Sequence, residues 1–187
     1  MKIKTRRSRR PKKKNQGSGS RPSASGKKIV MVSGGFDPVH IGHVRMFNEA
    51  KKLGDELVVV VNNDNWLQLK KGYVFMPEQE RKEIIEAFEA VDRVILSSHE
   101  RDTIDISICR ELLTLRPHVF AKGGDRHSGN IPTPEVSVCE EIGCDIVNDI
   151  GFGGKVQSSS ELVKKARDAQ KGRNPDRRTS GKLNNKK

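Results

Sequence analysis

The sequence predicts an α/β protein, a doubly wound parallel sheet of about five strands in a single domain. Two observations lead there. Short β-branched runs alternate with stretches of helical apolar spacing between residue 28 and about residue 167, and the runs are apolar throughout, as strands covered on both faces require. The runs are "KIVMV" (28–32), "ELVVVVN" (56–62), "DRVILSS" (92–98), "HVFAK" (118–122) and "CDIVND" (144–149). Helices are expected around 43–53, 78–90, 103–115, 134–142 and 159–170. In the first, Val44, Phe47, Ala50 and Leu53 recur at helical spacing; in the second, Ile84, Ile85 and Phe88 do. In such a sheet ligands sit beyond the carboxyl ends of the strands.

The formal charge of +12 belongs to the ends of the chain. Residues 1–28 hold 12 Lys/Arg and no acid, and residues 164–187 hold 10 against 2 acids, which leaves the body at −8. The expected organisation is a disordered basic arm over 1–27, one domain over 28–167 and a disordered basic tail over 168–187, because the ends carry too few apolar side chains to offset the entropy of ordering. No stretch approaches the roughly 18 to 20 apolar residues of a membrane span, and the start lacks the apolar segment of a secretory signal. A cytoplasmic protein is expected, with "RRSRRPKKK" open to reading as a nuclear or organellar address or as a solvated tail. Cys109, Cys139 and Cys144 have neither zinc-ligand nor C-x-x-C spacing and read as buried or idle thiols of a reducing compartment.

The densest chemistry is "SGGFDPVHIGH", residues 33–43, at the ligand end of the first strand. Gly34 and Gly35 let the backbone turn sharply or approach a phosphate closely. A helix starting near Gly42 or His43 points its free N–H groups at the same spot. His40 and His43 then donate to anionic oxygen, and a phosphate end is the natural occupant. Taken alone, the H-x-G-H could equally be a tight strand-to-helix turn with surface histidines.

With Gly35, Phe36, Asp37, His40, Gly42 and His43 in place, the stretch resembles the signature of the cytidylyltransferase-like nucleotidyltransferases, which have a Rossmann-like sheet. The resemblance continues through "AKKLGDELVVVVNND", "KKGYVFMPEQERKEIIEAFEAVDRVI", "FAKGGDR" and "VQSSSELV". It implies transfer of a nucleoside monophosphate from a nucleoside triphosphate to the phosphate of a small acceptor, with release of pyrophosphate. His40 and His43 would steady the α and β oxygens, and neither need act as a base, because a phosphate nucleophile is already ionised. Ser158, Ser159 and Ser160 would contact the β and γ phosphates from a helix start; by themselves they read as a capping box with Glu161. Val156, Gln157 and Lys155 depart from the family's usual residues there.

Lys70, Lys71 and Arg81 stand where relatives use cations for the phosphates of the triphosphate or second substrate, although a lysine pair in a polar loop is more often simply solvated. Lys122, Gly123, Gly124 and Asp125 form a crest that the resemblance places near the base and sugar; otherwise they are a plain strand exit. Asp37 is a candidate to assist the Mg²⁺ that accompanies a triphosphate, and no cluster of metal-ligating residues is visible. Trp66, His99, His118 and His127 are left to packing or the surface.

The leading reading is therefore a nucleotidyltransferase using ATP on a sugar phosphate, since "FAKGGD" and "EAFEAVDRVI" look most like heptose 1-phosphate adenylyltransferases. The alternative within the family is a cytidylyltransferase acting on glycerol 3-phosphate or a phospho-amino-alcohol. A third reading, from another class, is a non-catalytic protein whose basic arms bind nucleic acid or acidic partners. A homodimer is an open expectation.

Overall fold

The computed structural model describes residues 26–123, 133–151 and 157–172. Five parallel strands form one sheet in the order β3-β2-β1-β4-β5: β1 Ile29–Gly34, β2 Glu56–Val61, β3 Arg93–Leu96, β4 Val119–Gly123 and β5 Asp145–Ile150. Six helices are described: α1 Ile41–Ala50, α2 Asp64–Lys71, α3 Glu78–Glu86, α4 Cys109–Leu115, α5 Thr133–Ile142 and α6 Ser159–Gly172.

Val30, Met31 and Val32 of β1 and Leu57 to Val61 of β2 are all fully buried. The period-2 alternation sends Val30 and Val32 into a core with Phe47, Ala50 and Ile85, from α1 and α3. It sends Met31, Val60 and Phe120 into a second core with Leu112 and Cys139, from α4 and α5. Covering both faces is what made these runs apolar throughout; each such side chain contributes about 1.5 to 3 kcal/mol of burial.

The structure adds one helix that the sequence reading missed. The lysine pair is not in a polar loop: α2 carries it, started by Asn63, whose side chain accepts from Trp66 N at 3.0 Å, and stopped by Gly72 at φ 74°. Both signals stand in the sequence, but the helix buries only Trp66 and Leu67, so its apolar stripe is too thin to register. The opposite correction applies to α4, expected from 103 and beginning at Cys109. Thr103 Oγ1 accepts from Asp105 N at 3.1 Å and Asp105 Oδ1 from Ser107 N at 2.8 Å, side-chain turns that compete with helix.

The entry to β2 rests on one close approach. A Cβ on Gly54 would lie 2.5 Å from the Lys28 carbonyl oxygen and 2.7 Å from Val30 Cγ2, while Asp55 N and Glu56 N both donate to that same carbonyl. Gly54→Ala must push strand β2 away from β1, and a loss of about 1 to 3 kcal/mol is expected in urea unfolding.

Candidate active site

The chain leaves β1 through a turn whose geometry rests on two ring contacts. A Cβ on Gly34 would meet the Phe36 ring at 2.9 Å, because Phe36, at φ 49°, folds back over the strand end. That ring is 4% exposed and lies edge-on to His43 (centroids 4.9 Å apart, 87°) and to Phe47 (5.4 Å, 63°). Phe36 thus braces the imidazole of His43 from behind. Gly35 is equally confined, since a Cβ there would meet Leu67 Cδ2 at 3.0 Å.

His40 is the N-cap of α1, and His43 occupies its third position. Each takes a backbone proton on Nδ1: His40 from Gly42 N at 3.2 Å, His43 from the amide of His40 at 3.3 Å. A neutral imidazole that accepts at Nδ1 carries its proton on Nε2, so both rings are locked as Nε2–H donors. The rings stack with centroids 3.7 Å apart and 18° between planes. Gly42 is required beneath them, because a Cβ there would meet His40 Cε1 at 3.0 Å. The expectation that the Gly42 amide faces a phosphate is therefore corrected. It is spent on His40.

Both histidines are held in the neutral form. Burial, then the neighbouring His40 and Lys71, bring His43 down to about 3; burial and Lys71 lower His40 as well.

Three charged residues expected to face ligand are committed elsewhere. Arg81 is fully buried: its guanidinium donates to Gly35 O and Asn62 O at 2.7 Å and to Met76 O at 2.8 Å, and pairs with Asp64 at 2.6 Å. It fastens the exits of β1 and β2 together and so positions the site without reaching into it. Asp37 is also fully buried, with its carboxylate oxygens accepting from Phe75 N at 3.0 Å and Met76 N at 2.7 Å. With both oxygens so engaged it does not fit the role of a Mg²⁺ ligand. Lys122 shares the face of β4 that carries Phe120, its ammonium 4.1 Å from that ring and bound to Glu135 of α5. Alternation along the strand turns it under the sheet, away from the crest where the sequence reading placed it.

The cation at the turn is Lys71, whose Nζ donates to Asp37 O at 3.0 Å; burial lowers its pKa, opposed by Asp37. Lys70, which the sequence offers together with Lys71 for that role, is exposed. Neighbouring residues lie about 100° apart around a helix, so only the phase of α2, which the sequence reading lacked, separates the two. Gly123 closes the crest of β4, where a Cβ would collide with Met46 Sδ of α1. Gly124 and Asp125 lie outside the described residues. Of the serines, Ser159 opens α6 and donates from Oγ to Pro38 O at 2.9 Å, while Arg167 of the same helix lies 4.7 Å over the Tyr73 ring. Ser158 is half-buried beside it and Ser160 is exposed.

One strand further out, Ser98, His99, Asp105, Ser107, Arg110 and Glu111 line a polar cleft of about 180 Å³. His99 has both ring nitrogens engaged there, with Ser97 Oγ at 2.8 Å and Ser107 O at 2.9 Å. Among the described residues no group of three or more His, Cys, Asp or Glu is placed to hold a metal ion, and no helix is long and apolar enough to cross a membrane.

The cytidylyltransferase-like family profile matches residues 31–147, which carry the histidine turn and all five strands in whole or part. The chain belongs to the cytidylyltransferase-like family. It is 40% identical over 100 residues to an FAD synthase of Ferroglobus placidus, covering 54% of this chain and 61% of the relative. A second FAD synthase, from Archaeoglobus fulgidus, is 33% identical over 117 residues, covering 63% and 80%. The bifunctional protein HldE of Hahella chejuensis is 34% identical over 157 residues, covering 79% of this chain and 29% of that protein. The chain thus spans under two thirds of the first of these relatives and under a third of the last. Among solved structures, a lipopolysaccharide core biosynthesis protein of Thermoplasma volcanium aligns with a TM-score of 0.54 at 32% identity, covering 68% of this chain and 99% of that one. The resemblance read from the H-x-G-H block and the Rossmann-like sheet are both those of this cytidylyltransferase-like family.

The buried neutral His43 gives a signed pH dependence. An unfolded chain binds a proton at this residue below the ordinary value of 6.5, and the folded chain does so only near 3. Between those values the unfolded state holds more protons, so stability falls as pH drops from 6.5 towards 3 and levels below that. Urea unfolding across this range should show a shallower fall in His43→Asn than in the wild type.

Proposed function

We propose that the protein is a nucleotidyltransferase that moves a nucleoside monophosphate, AMP by preference, from a nucleoside triphosphate to the phosphate of a small acceptor. The observation that carries this is the pair of stacked, neutral imidazoles locked as Nε2–H donors beside Lys71 at the carboxyl end of β1.

An acceptor phosphate oxygen attacks the α-phosphorus, the bond to the bridging oxygen breaks and pyrophosphate leaves. The nucleophile is ionised at neutral pH, so no base is needed; charge on the α and β oxygens must be met as it grows. His40 and His43 donate to those oxygens without carrying charge of their own, and Lys71 adds a cation. Gly34 and Gly35 keep the turn narrow, and Ser158 to Ser160 at the start of α6 offer hydroxyls to the outer phosphates. Mg²⁺ enters on the triphosphate as part of the substrate, since Asp37 is already engaged.

ATP is favoured because FAD, the product named for two relatives, is AMP joined by a pyrophosphate bond to riboflavin phosphate. That product adds riboflavin phosphate to the sugar phosphates as an acceptor; both present a phosphate monoester. CTP with glycerol 3-phosphate is the alternative. The basic arms are proposed as tethers to nucleic acid or another acidic partner, held by contacts that weaken steeply with salt.

The deciding experiment is pyrophosphate release from ATP and from CTP, with magnesium, against riboflavin phosphate, sugar 1-phosphates and glycerol 3-phosphate. ATP should exceed CTP in kcat/KM by about 10² or more, since a base with the wrong donor and acceptor edge leaves polar groups unpaired. A tenfold advantage for CTP selects the cytidylyltransferase alternative, and no turnover with any pair refutes the reaction. His40→Ala and His43→Ala should each lower kcat by about 10² to 10³ with the circular dichroism spectrum retained. Near-normal turnover in both would remove the histidines from the mechanism.

A further inference from the structure

Helix α5 ends in a Schellman arrangement. Cys144 N donates to Cys139 O at 2.8 Å, Gly143 N donates to Glu140 O at 3.4 Å, and Gly143 supplies the left-handed residue at φ 70°. The motif characteristically brings together the side chains at its two outer positions, which here are Cys139 and Cys144. Standard bond lengths around the 2.8 Å hydrogen bond cap the Cα separation at about 6.7 Å, inside the range that disulfides span. Both cysteines belong to the same core between the sheet and α4 and α5, 1% and 7% exposed.

We propose that Cys139 and Cys144 form an oxidisable dithiol, which a hydroperoxide closes to a disulfide clamping the end of α5 to strand β5. Cys139 is the attacking sulfur: the neighbouring Cys144 holds its thiol below the ordinary range, while Cys139 and burial raise Cys144, whose own thiol donates to Asp145 O at 3.7 Å. Its sulfur attacks one peroxide oxygen, the O–O bond breaks, and a sulfenic acid and one water result. Cys144 then attacks the sulfenic sulfur, the S–S bond forms as S–O breaks, and a second water carries away the remaining proton. Two thiols and one hydrogen peroxide become one disulfide and two waters. Hydrogen peroxide, little larger than water, is the oxidant whose size suits a sulfur this enclosed. Cys109, half-buried at the start of α4, is kept protonated chiefly by burial and stands outside the Schellman arrangement.

The bridge closes on an element that matters to the sheet. Glu135 lies one helical turn before Cys139 on the buried side of α5 and holds Lys122 of β4 and the amide of Ile108. β5 pairs only with β4 among the described residues. A covalent clamp therefore secures an edge strand to the helix that covers it.

The test uses the full chain carrying Cys109→Ser, treated with a small excess of hydrogen peroxide at neutral pH. Both remaining thiols should disappear, the peptide holding them should lose about 2 Da, and a dithiol reductant should restore them. The thermal unfolding midpoint should rise by about 5 °C. Adding Cys144→Ser, or Cys144→Ala should the serine variant fail to fold, removes the bridge, so that Cys139 gains oxygen in steps of about 16 Da. Peptide mapping of the oxidised wild type should find Cys109 unbridged. The proposal is overturned if both thiols stay titratable in the treated protein, if they gain oxygen without bridging, or if Cys109 is part of the bridge.

Discussion

The site depends on the fully buried guanidinium of Arg81. Two parallel strands end side by side, and the carbonyls of Gly35, half-buried, and Asn62, buried, stand just beyond them. One planar cation meets both, together with Met76 O and the Asp64 carboxylate. The Arg81 guanidinium suits this because its donors diverge in a fixed fork and it does not lose its charge. The cost of burying it is offset only because four acceptors surround it. Asp37 repeats the device with opposite sign, taking two amides of the 72–77 segment and drawing it over the turn.

Where the strong charges of Arg81 and Asp37 serve as fasteners, the turn itself carries two neutral imidazoles and the Lys71 ammonium. His40 and His43 lie in reach of Lys71, and a charged pair of imidazoles stacked at 3.7 Å beside an ammonium would repel. The Nδ1 hydrogen bonds to the backbone fix their tautomer, and the Phe36 ring fixes the plane of His43. A site built this way presents oriented dipoles that need no rearrangement when charge grows on a phosphate oxygen. The glycines of G-G-F-D-x-x-H-x-G-H follow from the same rings, since Gly34 makes room for Phe36 and Gly42 for His40.

Much of the architecture was legible in the sequence because it is encoded locally. Apolar runs covered on both faces mark β1, β2 and β4 wherever they pair, and the turn after β1 announces itself by its glycines and histidines. Helix α2 was not legible because its stability comes from caps and from Trp66, whose Nε1 reaches Ile106 O across the fold at 2.9 Å. The late start of α4 was missed for the converse reason. Segment 103–107 contains residues compatible with helix, but short side chains satisfy its amides first.

The sequence by itself determined the five-stranded parallel sheet, the H-x-G-H turn and the family, since each depends on residue type at short spacing. Only the tertiary structure decided which charged residues are spent on holding the fold, because that depends on what lies opposite. Lys122 has Glu135 beneath it, Arg81 has two strand ends, and Lys71 has the turn that Lys70 lacks. Ser159 meets Pro38 across 121 residues of sequence. Cys139 and Cys144 are close in the chain, yet their pairing rests on the left-handed Gly143 that folds one back on the other. Contacts of that kind are set by packing geometry, which residue order constrains but does not spell out.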